Sequence, residues 1–164
     1  MDLLPVNAAH WHLVLNHIPV VGSLAAFLLT AWALFKHSEE SKRIALTTLV
    51  LVAVSTIPAF LTGEPSERHL KGIPGISSRW MSNHEDIAEV ALWAALAAGV
   101  LAAAGLAWFR KQRVQPRWFT ALTLAACVVV WLLMARTANY GGKINHPEIR
   151  KPTKTETPPT DVEF

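Results

Sequence analysis

The chain has 164 residues, of which 52% are hydrophobic and only 16% charged, and this balance is too apolar for an ordinary soluble domain. Its net charge of +3 comes from short basic runs between apolar segments, a pattern typical of membrane topology rather than of a nucleic-acid-binding surface. The single cysteine, Cys127, excludes an intramolecular disulfide and a Cys-x-x-Cys-His haem attachment.

Four apolar segments predict transmembrane helices at about residues 10–35, 44–62, 83–109 and 118–138. Each approaches or exceeds the roughly 20 residues that a helix needs to cross a hydrocarbon core of about 30 Å. The third and fourth segments lack the polar face of a soluble helix. We therefore expect an all-α fold, a four-helix bundle that contacts the lipid bilayer.

The bundle is expected to occupy residues 1–146, and residues 147–164 are expected to form an extended tail. The tail is rich in Pro, Thr and charge, so it cannot build a core of its own and is interpreted as a partner-binding strap. The second connection, residues 63–81, is also long and rich in glycine and proline. A loop of that length in a compact bundle favours a lid or a docking surface.

The first helix carries three histidines near its start. His10 and His17 are seven residues apart and share a face, whereas His12 and His17 are five apart and point about 140° away from each other. An ionisable side chain as deep as His17 needs a partner in lipid. His12 and His17 are therefore expected to face different neighbouring helices.

Two further histidines are associated with the ends of the third and fourth helices. Ser82 followed by Glu85 predicts a capping box that places His84 in the first turn of the third helix. The adjacent glycines 141 and 142 predict a stop of the fourth helix and a turn that brings His146 back over the bundle mouth.

Basic residues in the loops predict the orientation of the chain. The first and third loops are rich in Lys and Arg, whereas the amino terminus has none, which favours extracytoplasmic termini. The basic residues of the tail favour the opposite orientation. With the termini outside, six of the seven histidines lie on the outer side and only His37 lies opposite.

These histidines predict a metal or haem centre near the outer face. His residues at similar height on facing helices of a bundle can hold a haem as its two axial ligands, and we expect His17 and His84 to do so for a b-type haem. His12 and His146 are expected to be additional metal ligands or supporting groups. Zinc or copper stays open as another metal, since no HExxH or Cys-x-x-Cys motif specifies one.

Two charged residues lie close to this level of the bundle. Arg136 is expected either to bind a haem propionate or to extend to the interface as a partner of Glu89. Glu89 in turn is a candidate proton acceptor near a redox centre.

The sequence His-Leu-Val-Leu-Asn-His-Ile-Pro at residues 12–19 resembles the His-x4-His-(Phe/Ile)-Pro opening of an uncharacterised family of bacterial four-helix membrane proteins. The resemblance continues through Leu-Thr-Gly at residues 61–63, His84 and the Gly-Gly pair with a following His, and covers about residues 10–149. It implies a multi-pass protein of the bacterial inner membrane, with haem binding or electron transport as the expected role. The family's motif histidines correspond to His12, His17, His84 and His146.

Three functions remain open at this point. The first is an electron-transfer module that relays electrons from a membrane donor, such as quinol, to other membrane or extracytoplasmic redox subunits. The second is a non-redox subunit that anchors or assembles a larger membrane complex, with the histidines as packing groups. The third, a permease for a metal or small solute, is disfavoured because the inner halves of the helices lack the polar residues of a through-path.

Overall fold

The structure, a computed structural model, describes residues 5–109 and 114–150. Within these residues the chain is helical and contains no strand. A 3-10 turn at Pro147–Ile149 follows the last helix. The α-helices are α1 (Ala8–Lys36), α2 (Glu39–Leu61), α3 (Gly63–Leu70), α4 (Ser78–Trp108) and α5 (Arg117–Asn145).

Four helical stretches are long and apolar enough to cross a membrane. They are α1, the stretch Glu39–Leu70 that joins α2 to α3, α4 and α5, with mean hydropathy between 2.0 and 2.2. The predicted all-α four-helix bundle is confirmed, and the chain is a multi-pass membrane protein. Four crossings place the starts of α1 and α4 at the same end of the bundle as the ends of α2 and α5.

Three predicted helix ends are wrong. α2 begins at Glu39 with Ser38 as its N-cap, rather than at about residue 44. α4 begins at Ser78 with Ser77 as its N-cap, so Ser82 lies inside the helix and the predicted capping box does not form. α5 continues through Gly141 and Gly142 as far as Asn145. Helix packing overrides local signals here, because tertiary contacts outweigh the roughly 1 kcal/mol that each glycine costs in a helix.

The second connection is more ordered than a long loop. Its first part forms α3, and two turns with Gly72 and Gly75 at positive φ lead into α4. Arg150 ties the end of the described chain to this connection, because its guanidinium donates to the carbonyls of Gly75, Lys143 and Ile144 at 2.8–3.1 Å. The predicted strap beyond residue 150 lies outside the described residues.

The four long helices form a square in which α1 and α4 both pack against α2 and α5. α1 and α4 are therefore diagonal to each other across the bundle axis. The core is made largely of small residues, and a Cβ on Gly99 of α4 would collide with Ala53 of α2. Small residues let membrane helices approach closely, and van der Waals packing then holds them together.

The two ends of the bundle differ in their polar residues. We call the end formed by the starts of α1 and α4 and the ends of α2 and α5 the histidine end. Six of the seven histidines belong to it, and His37 at the end of α1 lies at the opposite end, which we call the lysine end. The six are His10, His12, His17, His69, His84 and His146.

The lysine end contains an ion pair whose ammonium is buried. Lys42 is 4% exposed, and its ammonium donates to Glu39 Oε1 at 2.6 Å and to the Gln115 carbonyl at 2.8 Å. Glu39 Oε2 accepts the backbone N–H of Gln115 at 2.9 Å, and the Gln115 side-chain amide donates to the Thr120 hydroxyl at 2.9 Å. This network joins the start of α2 to the start of α5.

Candidate functional site

The imidazoles of His12 and His84 face each other across the bundle axis at the histidine end. Their ring centroids are 6.1 Å apart, and their planes are inclined at 87°. Both side chains are half-buried. Since α1 and α4 are diagonal helices, this pair occupies the centre of the bundle mouth.

Each of the two rings is held by a neighbouring helix through Nδ1. His84 Nδ1 bonds the Thr137 carbonyl at 2.9 Å, and His12 Nδ1 bonds the Ala59 carbonyl at 3.0 Å and the Thr62 hydroxyl oxygen at 3.2 Å. A carbonyl oxygen can only accept a hydrogen bond, so Nδ1 carries the proton in both rings. The lone pair of each neutral imidazole is therefore on Nε2, the atom that a metal would bind.

The two Nε2 atoms make no hydrogen bond with the described residues, since every bond of these rings uses Nδ1. Among the described residues, no fully buried side-chain nitrogen or oxygen is left without a partner. The two Nε2 atoms are therefore not sealed within the packed interior. Each can accept a ligand without breaking an existing bond.

The same local arrangement occurs in both halves of the chain. It consists of a histidine near the start of one helix, a carbonyl acceptor near the end of the next long helix, and a glycine four residues beyond that acceptor. The members are His12, Ala59 and Gly63 in the first half and His84, Thr137 and Gly141 in the second. The sequence shows no internal repeat, because so few residues define this arrangement.

The glycines of this arrangement lie beside the histidine rings. A Cβ on Gly141 would lie 3.3 Å from His84 Cε1 and 3.4 Å from its Nδ1, closer than most side-chain contacts. A Cβ on Gly63 would lie 3.7 Å from His12 Cε1, an ordinary contact distance. Gly141 thus keeps space that the His84 ring needs in its present position, and Gly63 does so less strictly.

His17 does not join the pair. Its side chain is exposed on α1, and its Nδ1 bonds the Leu13 carbonyl of the same helix at 2.5 Å. The structure therefore places His12, rather than the expected His17, opposite His84. The reason is the rotation of about 140° between residues five apart in a helix, which turns one of the two outward when the other faces the axis.

The other predicted site residues lie around the pair. Arg136 is exposed and donates to the Tyr140 hydroxyl at 3.1 Å, and the described residues contain no ion pair between it and Glu89. His146 is exposed and bonds the Glu148 carboxylate at 2.8 Å. The pKa of Glu148 is lowered by a hydrogen bond from its own backbone N–H and then by the bond with His146. The roles of Arg136 and His146 in cofactor binding stay predictions.

The described residues contain no group of three or more His, Cys, Asp or Glu side chains placed to hold one metal ion. A structural zinc site takes four protein ligands and a catalytic one takes three, whereas a haem iron needs only axial ligands because the porphyrin supplies the other four. A pair of imidazoles is thus one donor set that a haem iron can take.

Sequence reasoning missed the groups that orient the rings. Backbone carbonyls carry no sequence signal, so Ala59 and Thr137 were not recognisable as partners. Thr62 and Gly63 belong to the Leu-Thr-Gly segment of the resemblance, which is the signal that could have found them.

Comparison of the sequence with protein-family models, with curated proteins and with solved structures finds no match.

Proposed function

We propose that His12 and His84 are the two axial ligands of one b-type haem, and that the protein is an electron-transfer module of the membrane. The observation that supports this proposal is the pair of Nδ1-protonated imidazoles that face each other across the bundle axis. Each ring donates a hydrogen bond from Nδ1 to a backbone carbonyl. Metal-bound histidines commonly make such a bond through the ring nitrogen that does not bind the metal.

The separation of the rings supports binding to one metal. A metal–nitrogen bond is about 2.0–2.1 Å long, and a ring nitrogen lies about 1 Å from its ring centroid. Two imidazoles that bind one metal from opposite sides therefore have centroids about 6 Å apart. The centroids of His12 and His84 are 6.1 Å apart.

A bound haem would supply one-electron redox chemistry at the histidine end. The chain's own residues would set its properties: the carbonyls of Ala59 and Thr137 keep the ligand nitrogens deprotonated at Nε2, and Arg136 is the candidate cation for a propionate. The donor would be a membrane-soluble reductant such as quinol, and the acceptor a redox subunit docked outside the bilayer. This assignment includes extracytoplasmic termini in a bacterial inner membrane.

Absorption spectra of the protein purified in detergent, after expression with a haem precursor, test the proposal. We expect a Soret band, with α and β bands that sharpen on reduction by dithionite. His12→Ala and His84→Ala should each abolish or shift these bands at unchanged expression. His17→Ala and His37→Ala are matched controls and should keep the wild-type spectrum.

Two outcomes would overturn the proposal. One is wild-type protein that carries no haem and takes none up from added haemin. The other is haem whose spectrum is unchanged in both the His12 and His84 variants, in which case His17 and His146 become the ligands to test.

A non-redox anchoring or assembly subunit is the second candidate. Each histidine crosslinks two helices through its Nδ1 bond, which a purely structural residue could also do. Under that function, His84→Asn should preserve the fold and complex formation, and no preparation should contain haem.

A further inference from the structure

Two aromatic rings mark one side of the histidine end. Trp80, in the first turn of α4, and Tyr140, near the end of α5, have ring centroids 5.6 Å apart. Both rings are half-buried. Trp and Tyr at the ends of transmembrane helices typically lie at the level of the lipid headgroups.

Cations surround these rings. Lys143 Nζ lies 4.6 Å from the centroid of Trp80 and 5.5 Å from that of Tyr140, and the Arg79 guanidinium carbon lies 6.0 Å from the Trp80 centroid. Within about 6 Å of a ring face, a cation is attracted to the ring electrons. The rings thus hold both cations in one place, although a ring does not neutralise a charge.

The described part of the chain provides no carboxylate partner for Arg79 or Lys143. Other cations of the same end are paired. Arg68 lies 3.9 Å from Glu64, and Lys71 lies 3.1 Å from Glu67. The absence of a carboxylate partner is therefore not shared by all basic residues at this end.

Arg136, one helical turn before Tyr140 on α5, contacts the Tyr140 side chain. It donates to the Tyr140 hydroxyl at 3.1 Å, and its guanidinium carbon lies 5.5 Å from the Tyr140 centroid. The bond fixes the orientation of the Tyr140 ring over which Lys143 lies. Arg136 also adds a further positive charge beside the Tyr140 ring.

We propose that Arg79, Trp80, Tyr140 and Lys143 form a binding site for the phosphate headgroup of an anionic phospholipid. Two cations without carboxylates, held at headgroup level, attract the anion that is most abundant at that depth, which is lipid phosphate. The two rings, whose planes are inclined at 41°, provide the apolar surface against which the glycerol and upper acyl chain lie. The site does not depend on haem, so a result that contradicts haem binding leaves this proposal unchanged, and the reverse also holds.

Native mass spectrometry of the intact protein tests the proposal with phosphatidylglycerol and phosphatidylcholine as probes. We expect a preference for phosphatidylglycerol of about thirtyfold, because the membrane-surface attractions of the two basic residues add. The double variant Arg79→Gln/Lys143→Gln should lose most of this preference. Arg68→Gln/Lys71→Gln removes the same charge from paired residues and should keep it.

Equal lipid preference in the two double variants would contradict the site, because net charge alone would then explain binding. Millimolar inorganic phosphate should not displace the lipid. If it does so completely, the cluster binds free phosphate rather than a headgroup and the lipid assignment is wrong. Circular dichroism of each variant verifies folding. If Arg79→Gln/Lys143→Gln is poorly expressed, Trp80→Phe is measured instead. It keeps an aromatic ring and should retain the lipid preference.

Discussion

At the lysine end, the ammonium of Lys42 and both carboxylate oxygens of Glu39 have partners within the protein. At the histidine end, the imidazoles of His12 and His84 each have partners only at Nδ1. Both sets of side chains connect one helix of the bundle to another. The Nε2 atoms of His12 and His84 make no hydrogen bond with the described residues, so each can accept a ligand from outside the chain.

The difference separates a structural polar cluster from a site that can bind a ligand. The Lys42 ammonium and the Glu39 carboxylate bond each other and the backbone of Gln115, so removal of this pair acts mainly on stability. An imidazole fixed through one nitrogen presents the other in a set direction, so its removal acts mainly on ligand binding. Burial alone does not distinguish the two ends; the unused hydrogen-bonding capacity does.

The largest expected effect is at the lysine end. Glu39→Ala leaves the buried Lys42 ammonium without its carboxylate. We expect a loss of about 2 kcal/mol in the free energy of unfolding, between the values for exposed and buried pairs, because the Glu39 side chain is 37% exposed and screened by solvent. Denaturation by SDS in mixed micelles measures it. Glu40→Ala removes the same charge from an exposed neighbour and should change stability little. Equal losses in both variants would show that the pair is not structural.

The second prediction concerns Gly141. An alanine Cβ there would press on the His84 ring. Gly141→Ala should therefore weaken haem binding by about tenfold, which is the lower part of the range of affinity losses measured when residues around a metal ligand are changed. Haem titration followed at the Soret band measures the affinity. Gly142→Ala makes the same change one residue later, where the Cβ would lie 3.5 Å from Ile149, and should bind haem normally. Normal affinity in Gly141→Ala would mean that the His84 ring need not keep its position.

The smallest expected effect is at Thr62. Thr62→Val removes one of the two oxygens that bond His12 Nδ1 but leaves the Ala59 carbonyl. Haem affinity should therefore fall by only about threefold, less than if His12 Nδ1 lost its only hydrogen-bond partner. The same titration measures this change. Thr48→Val is the control, since the Thr48 hydroxyl bonds only the Ile44 carbonyl of its own helix. A tenfold loss would indicate that the hydroxyl, rather than the carbonyl, orients the ring.

Much of the fold was predictable because its causes are local. The four apolar segments and their lengths specify the crossings directly, since backbone groups in lipid must be satisfied within a helix. The failures were at helix ends, where packing extended α4 upstream of Ser82 and carried α5 through Gly141. The ion pair of Glu39 and Lys42 was also missed, although residues three apart on a helix are neighbours.

The sequence by itself determined that histidines gather at one end of a four-helix membrane bundle and that His12 and His17 face different directions. Only the tertiary structure decided that His12 is the one that faces His84. Helical periodicity fixes the angle between two side chains on one helix but not the rotation of that helix in the bundle. That rotation depends on packing against the neighbouring helices, and the carbonyls of Ala59 and Thr137 become partners of the rings only after the helices have packed.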